Sequence, residues 1–172
     1  MSRSLDDRAA QLRGEFDRSF ADAPRAATTV AHDLIALRIA GDPYALRVAE
    51  IAGLHIDRPI ANVPSRIPEL LGIAGFRGSL VPVFDLGALL GYPAATVLRW
   101  IAIATSTSIG FAFESFDGHL RVAGQAIVDC TPDEAPAHVR AVVRDGGRMC
   151  PIVHLPSLIE AIAARALPRS KE

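Results

Sequence analysis

Apolar residues recur along this chain with two periods, and the change falls near residue 33. Leu5, Ala9, Leu12, Phe16 and Phe20 follow one another at three- and four-residue steps. That spacing puts them on one stripe of a helix over residues 4–21. Ser4 with Asp7 three residues on resembles a capping signal, while Gly14 costs the helix about 1 kcal/mol relative to alanine. Residues 22–31, rich in alanine and broken by Pro24, form a linker. The stripe suits packing against the domain behind it, or docking to a partner.

From Asp33 the period becomes two. Ile35, Leu37 and Ile39 alternate with Ala36, Arg38 and Ala40, and a Gly41-Asp42-Pro43 turn leads to Tyr44, Leu46 and Val48. This predicts a hairpin with one buried face. A further strand is expected over Ala49–Ile56, then a loop with three prolines from Arg58 to Pro68. Residues 72–91 read as a strand, a tight turn at Arg77-Gly78 and a second strand over Leu80–Phe84. Gly78 can take a positive φ, and Arg77 projects from the bend. Pro82 marks an edge strand or a bulge, because it cannot donate to a ladder. Asp85 stands where a helix N-cap belongs, Leu86–Leu90 supply one turn, and Gly91 with Pro93 ends it.

A second run of strands is predicted over Trp100–Ala104, Ile109–Phe113 and His119–Val128, with Asp117-Gly118 as the hairpin turn between the last two. Val139–Arg144 and Arg148–Leu155 flank another turn signal, Asp145-Gly146-Gly147. Pro156 suits the first turn of a closing helix with Leu158, Ile159, Ile162 and Ala166 on one stripe. Many short strands separated by turn signals, with helices only at the ends, predict a mainly β fold of small barrels. Alternation gives Phe111 and Phe113 one buried face and leaves Phe116 exposed for contact.

The chain has 172 residues, of which 50% are hydrophobic and 22% charged, with a net charge of −1. One domain, or two small barrels sharing a core, can be built from this length. The charge balance disfavours non-specific nucleic-acid binding, which depends on neutralising phosphates. No apolar run reaches the roughly 18–20 residues that span a bilayer, and Asp6, Asp7 and Arg8 occupy the place of a signal-peptide core. Cys130 and Cys150 make neither a disulfide framework nor a metal-ligand spacing. A reduced cytoplasmic location is expected.

Candidate chemistry is sparse. His32, His55, His119, His138 and His154 stand apart from other ligand types at metal-binding intervals, and no cofactor is expected. No nucleophile elbow, phosphate-cradling loop or dinucleotide fingerprint occurs. An enzyme would need Asp85, His154 and Cys150 to converge. Asp85 is better explained as a cap. Arg77 is the residue best suited to recognition, since a planar guanidinium binds carboxylates or carbonyl groups across an interface.

Gly72, Arg77, Gly78, Pro82, Asp85 and Leu86 fall at the spacing of the central motif of CheW-like domains, the adaptor modules of bacterial chemosensory arrays. Gly75 and Phe76 stand where that family usually has Asn and Leu. Weaker similarity runs from about residue 33 to about residue 162. The resemblance implies two intertwined five-stranded SH3-like barrels within residues 32–167. The first would take roughly residues 33–97 and the second 98–155, with a C-terminal helix at 156–167 and an N-terminal extension at 1–31.

The resemblance further implies a non-enzymatic scaffold that couples the cytoplasmic tips of chemoreceptors to a CheA-like histidine kinase. The barrel ends would meet the kinase's regulatory domain. A groove near Val48 and the Arg77-Gly78 turn would take the receptor's helical hairpin. The interface would then include Arg77, Gly78, Val48, Gly72, Gly75 and Phe76. The short strand around Tyr44–Ile51, the long Val63–Gly72 connector and the N-terminal extension suit an accessory, non-flagellar pathway as an alternative. A β-barrel nucleic-acid module is the remaining rival.

Overall fold

Two-residue turns organise the strands. In the computed structural model, which describes residues 30–95, 97–131, 135–145 and 148–166, β1 (Ala31–Ile39) pairs with β2 (Asp42–Arg47) across Ala40 and Gly41. Both turn residues have positive φ, 52° and 85°, the geometry whose twist matches paired strands. The turn thus lies earlier than the expected Gly41-Asp42-Pro43, and Pro43 is inside β2. Pro43 is tolerated there because β11 (Arg148–Val153) joins β2 only at Ala45 and Leu46. The helix expected over residues 4–21 lies outside the described residues.

A 3-10 turn, Val48–Glu50, leads to β3 (Ile51–Ile56), and the central hairpin follows as β4 (Leu70–Phe76) and β5 (Ser79–Asp85). Helix α1 (Leu86–Leu89) starts on Asp85, whose carboxylate accepts from the Ala88 N–H at 3.1 Å, and the chain turns away at Gly91 with φ 90°. The later strands are β6 (Trp100–Ala104), β7 (Gly110–Phe113), β8 (Ser115–Ala123), β9 (Ile127–Asp129) and β10 (Val139–Asp145), before helix α2 (Leu155–Ala166). Leu155, Leu158 and Ile162 bury the inner stripe of α2, whereas Ala166 is exposed.

The strands form a six-stranded sheet in the order β8-β1-β2-β11-β10-β9 and a five-stranded sheet in the order β3-β6-β7-β5-β4. The fold is mainly β, as expected, but the sheets do not divide the chain near residue 97. Strands β3 to β7 are inserted between β2 and β8, which belong to the other sheet. Sheet neighbours here are not chain neighbours, since β1 pairs with β8 and β2 with β11 over long separations.

Asp117-Gly118 is also not a hairpin turn. Strands β7 and β8 lie in different sheets, and Asp117 is the extra residue of a bulge between Gly118, opposite Ala36, and Phe116, opposite Leu37. Gly118 takes φ 151° there, so the same dipeptide that favours a turn serves a bulge instead.

The edges of the five-stranded sheet meet. Ala61, beyond the end of β3, exchanges both backbone hydrogen bonds with Ile73 of β4, at 2.8 and 2.9 Å. The His55 ring packs on Phe76 with centroids 4.7 Å apart. The sheet thereby curls into a barrel around Ala74, Phe76, Val81, Val83, Ile101 and Ala112. Leu34, Ala45, Ala141, Val143 and Ile152 fill the other barrel. Between them lies a shared core that includes Leu37, Leu46, Phe84, Phe111, Phe113 and Leu158. Phe111 and Phe113 are buried as expected, while half-buried Phe116 leans on Trp100 at 5.2 Å.

Candidate functional site

The β4–β5 hairpin is a rigid bracket with a displayed tip. Phe76 and Ser79 close it, leaving Arg77 and Gly78 as the turn, with φ 48° and 83°. For a residue with a side chain, left-handed backbone costs roughly 1–2 kcal/mol. Arg77 adopts it because the two-residue turn requires positive φ at both central positions. Its side chain is exposed, and the position of an added Cβ on Gly78 is open space.

Alternation divides the hairpin's side chains. Ala74, Phe76, Val81 and Val83 point into the barrel. Gly75 and Leu80 face each other on the outside, where Gly75 leaves open space and Leu80 is 70% exposed. The expected interface residues therefore separate into different jobs. Arg77, Gly78 and Gly75 are at the surface. Phe76 is a core residue, because β4 turns Ala74 and Phe76 into the barrel, so its side chain is not at the surface where an interface residue was expected. Gly72 is fixed by sterics: a Cβ there would stand 2.1 Å from the Ala61 carbonyl oxygen.

Val48 lies elsewhere. It is 37% exposed at the 3-10 turn and lines an open groove of about 390 Å3 with Ala31, His32, Asp33, Arg47 and Ala49. Strand β3 separates it from the hairpin tip, since Val48 precedes the strand and His55, near its end, packs on Phe76. Six extended residues span roughly 17 Å at ~3.3 Å per residue. Val48 and the hairpin tip thus adjoin opposite ends of β3.

Asp85, His154 and Cys150 share no hydrogen bond among the described residues, and each has a structural setting of its own. Both Asp85 oxygens accept backbone hydrogen bonds, from Ala88 and from Ala95 at 3.4 Å. The cavity beside Asp85 holds about 10 Å3, room for a single water-sized sphere. His154 caps α2, its Nδ1 accepting from the Ser157 N–H at 3.2 Å. Burial, followed by the charge of Asp117, pushes the Cys150 thiol up to about 11, which suppresses the thiolate a nucleophile needs. Among the described residues no cluster of His, Cys, Asp and Glu could hold a metal ion. No described helix is long and apolar enough to cross a membrane.

His55 and Arg58 are residues that the sequence reading missed. Burial, then the charges of Arg58 and Arg77, lower the His55 pKa from 6.5. The Arg58 guanidinium carbon lies 5.9 Å from the Phe76 ring centroid. Nothing in the local pattern signals this grouping, because it arises where non-neighbouring strands meet.

The model of the CheW-like domain matches residues 33–163. A chemotaxis protein CheW from Rhizobium meliloti (strain 1021) is 28% identical over 139 residues, covering 76% of this chain and 89% of that protein. The crystal structure of scaffolding protein TtCheW from Thermoanaerobacter tengcongensis shares the fold with a TM-score of 0.66 at 20% identity. That alignment covers 75% of this chain and 92% of the other.

Proposed function

This chain belongs to the CheW-like domain family, and on that premise we propose that it is a coupling scaffold of bacterial chemotaxis with no chemistry of its own. Its partners are a CheA-like histidine kinase and the cytoplasmic tip of a chemoreceptor, and it works in the cytoplasm at receptor arrays. The observation that carries this reading is the family motif held as a hairpin, with Arg77 presented at a two-residue turn. A scaffold transmits a signal by favouring one arrangement of its partners over another, so rigid display surfaces are the functional requirement.

Two surfaces support two partners. The groove at Val48 sets Ala31, Val48 and Ala49 beside His32, Asp33 and Arg47, an apolar strip with a polar rim that suits an amphipathic helix, and the hairpin tip offers charge. Neither the nucleic-acid reading nor the accessory-pathway alternative gains support: the net charge is −1, and the Rhizobium meliloti relative is a chemotaxis protein. The test is calorimetric titration of the purified chain with the regulatory domain of the CheA-like kinase and the receptor tip fragment from the same genome. Binding of both is expected. Absence of binding to either at about 100 μM, a free energy weaker than about −5.5 kcal/mol, would overturn the scaffold reading.

A further inference from the structure

The rim of the groove at Val48 carries groups that change charge near neutral pH. His32, Asp33 and Arg47 line it beside the apolar strip. Asp33 Oδ1 lies 3.1 Å from Nε2 of His119, on the neighbouring strand β8, and both side chains are exposed enough to meet a partner. Arg121 stands directly across the ladder from Asp33. Histidine is the side chain that ordinarily gains its proton between about pH 8 and about pH 5.

The other acids near this rim are engaged elsewhere. Strand β1 packs against β2, β7, β8 and the 3-10 turn. On those elements Asp117 pairs with Arg38, Asp42 accepts from the Tyr92 hydroxyl and Glu50 accepts from the Leu155 N–H. Strand β7 carries no charged side chain. With both imidazoles neutral, Asp33 offsets Arg47 along the groove. Once they are protonated, His119 neutralises Asp33 and His32 joins Arg47 and Arg121, so the rim becomes cationic.

We propose that seating of the receptor helix in this groove is coupled to proton uptake by His32 and His119, so that the groove prefers a helix with an acidic flank and holds it more tightly as pH falls. This rests on the scaffold reading and adds a regulation of its receptor contact. Charge complementarity sets the preference: Arg47 and Arg121 are permanent cations, and each proton taken up adds charge of the same sign. Carboxylates seated beside an imidazole favour its charged form. Linkage makes this reciprocal, so the protonated groove binds the acidic helix better.

The test is calorimetric titration of the receptor tip fragment into the full chain at about pH 8 and about pH 6. The wild-type chain should bind roughly fivefold more tightly at the lower pH, a gain of the size a few exposed charge pairs supply. His32→Gln and His119→Gln should each reduce that gain. The double variant should abolish it while matching the wild type at the higher pH; the fragment is the same throughout, so a gain lost in this way belongs to the groove. His55→Gln, near the far end of β3, should keep the full gain. NMR supplies a second readout: the His32 and His119 titrations should move to higher pH in the complex. Affinity independent of pH, weaker binding on acidification, or a gain that survives in the double variant would overturn this inference and leave the scaffold intact. Failure of the wild-type chain to bind the fragment at either pH would remove both.

Discussion

The Leu155 backbone N–H donates a 3.0 Å hydrogen bond to Glu50 Oε2 across 105 residues of sequence. Glu50 ends the 3-10 turn that carries the chain from the six-stranded to the five-stranded sheet, and Leu155 begins α2. A carboxylate at a helix N-terminus satisfies an orphan donor and complements the helix dipole. This contact ties the crossover to the helix that covers the shared core.

Glu50→Ala should therefore lower stability by about 1.5–3 kcal/mol, the range for a hydrogen bond to a charged group. Glu50→Gln, which keeps an acceptor, should lose less. Urea denaturation of the three proteins measures the order, and equal stabilities would remove the contact from the account.

Gly72 has no room for a side chain. At φ 150°, with an added Cβ 2.1 Å from the Ala61 oxygen, Gly72→Ala must break the Ala61–Ile73 bridge that closes the barrel. A loss of roughly 3 kcal/mol or more is expected. The check is the midpoint of thermal unfolding, together with hydrogen exchange at the Ile73 amide. Gly75→Ala, in open space, is the matched control and should be nearly neutral.

Asp85 is 2% exposed and accepts two backbone hydrogen bonds. Asp85→Ala should cost about 1–2 kcal/mol through loss of the cap. Partner binding by the folded fraction should be unchanged in calorimetry, whereas a residue of the interface would lose affinity with its fold intact.

Two histidines make stability depend on pH. His55 is lowered from 6.5 by burial and by Arg58 and Arg77; His138 is lowered by burial, then by Arg165, Arg140 and His154. A lowered folded pKa means the unfolded chain takes up the proton first as pH falls through about 6.5, so stability declines there and is level above it. Replacing both residues with Gln should flatten the difference in urea midpoint between about pH 7.5 and about pH 5. A rise in stability on acidification that the double variant abolishes would contradict the sign.

With its thiol pushed up to about 11 and half-buried against the six-stranded barrel, Cys150 stays protonated at neutral pH. Iodoacetamide at about pH 8 should leave it unmodified in the folded chain and label it once urea unfolds the protein. Mass spectrometry of the peptide containing Cys150 distinguishes this from native-state labelling at the rate of a free thiol.

Local chemistry was legible wherever one residue or dipeptide sufficed. Asp85 as a cap, Gly78 at positive φ, the Arg77-Gly78 turn, the pairing of Phe111 with Phe113 inside and the closing helix near Pro156 all follow from backbone sterics and alternation. Asp117-Gly118 misled because its left-handed freedom serves a bulge as readily as a turn. Phe76 misled because motif position suggested display, while strand parity sent its ring inward.

The sequence by itself determined the elements: a period of two, punctuated by Gly, Pro and Asp, leaves few choices for where strands begin and end. It also carried enough of one motif to indicate the family. Only the tertiary structure decided which strands are neighbours, because pairing of β1 with β8 and β2 with β11 is settled by burial of a shared core and not by local propensity. The same long-range closure brings His55 and Arg58 to Arg77 and joins Glu50 to α2. Charges grouped by such contacts leave no periodic trace in a linear chain.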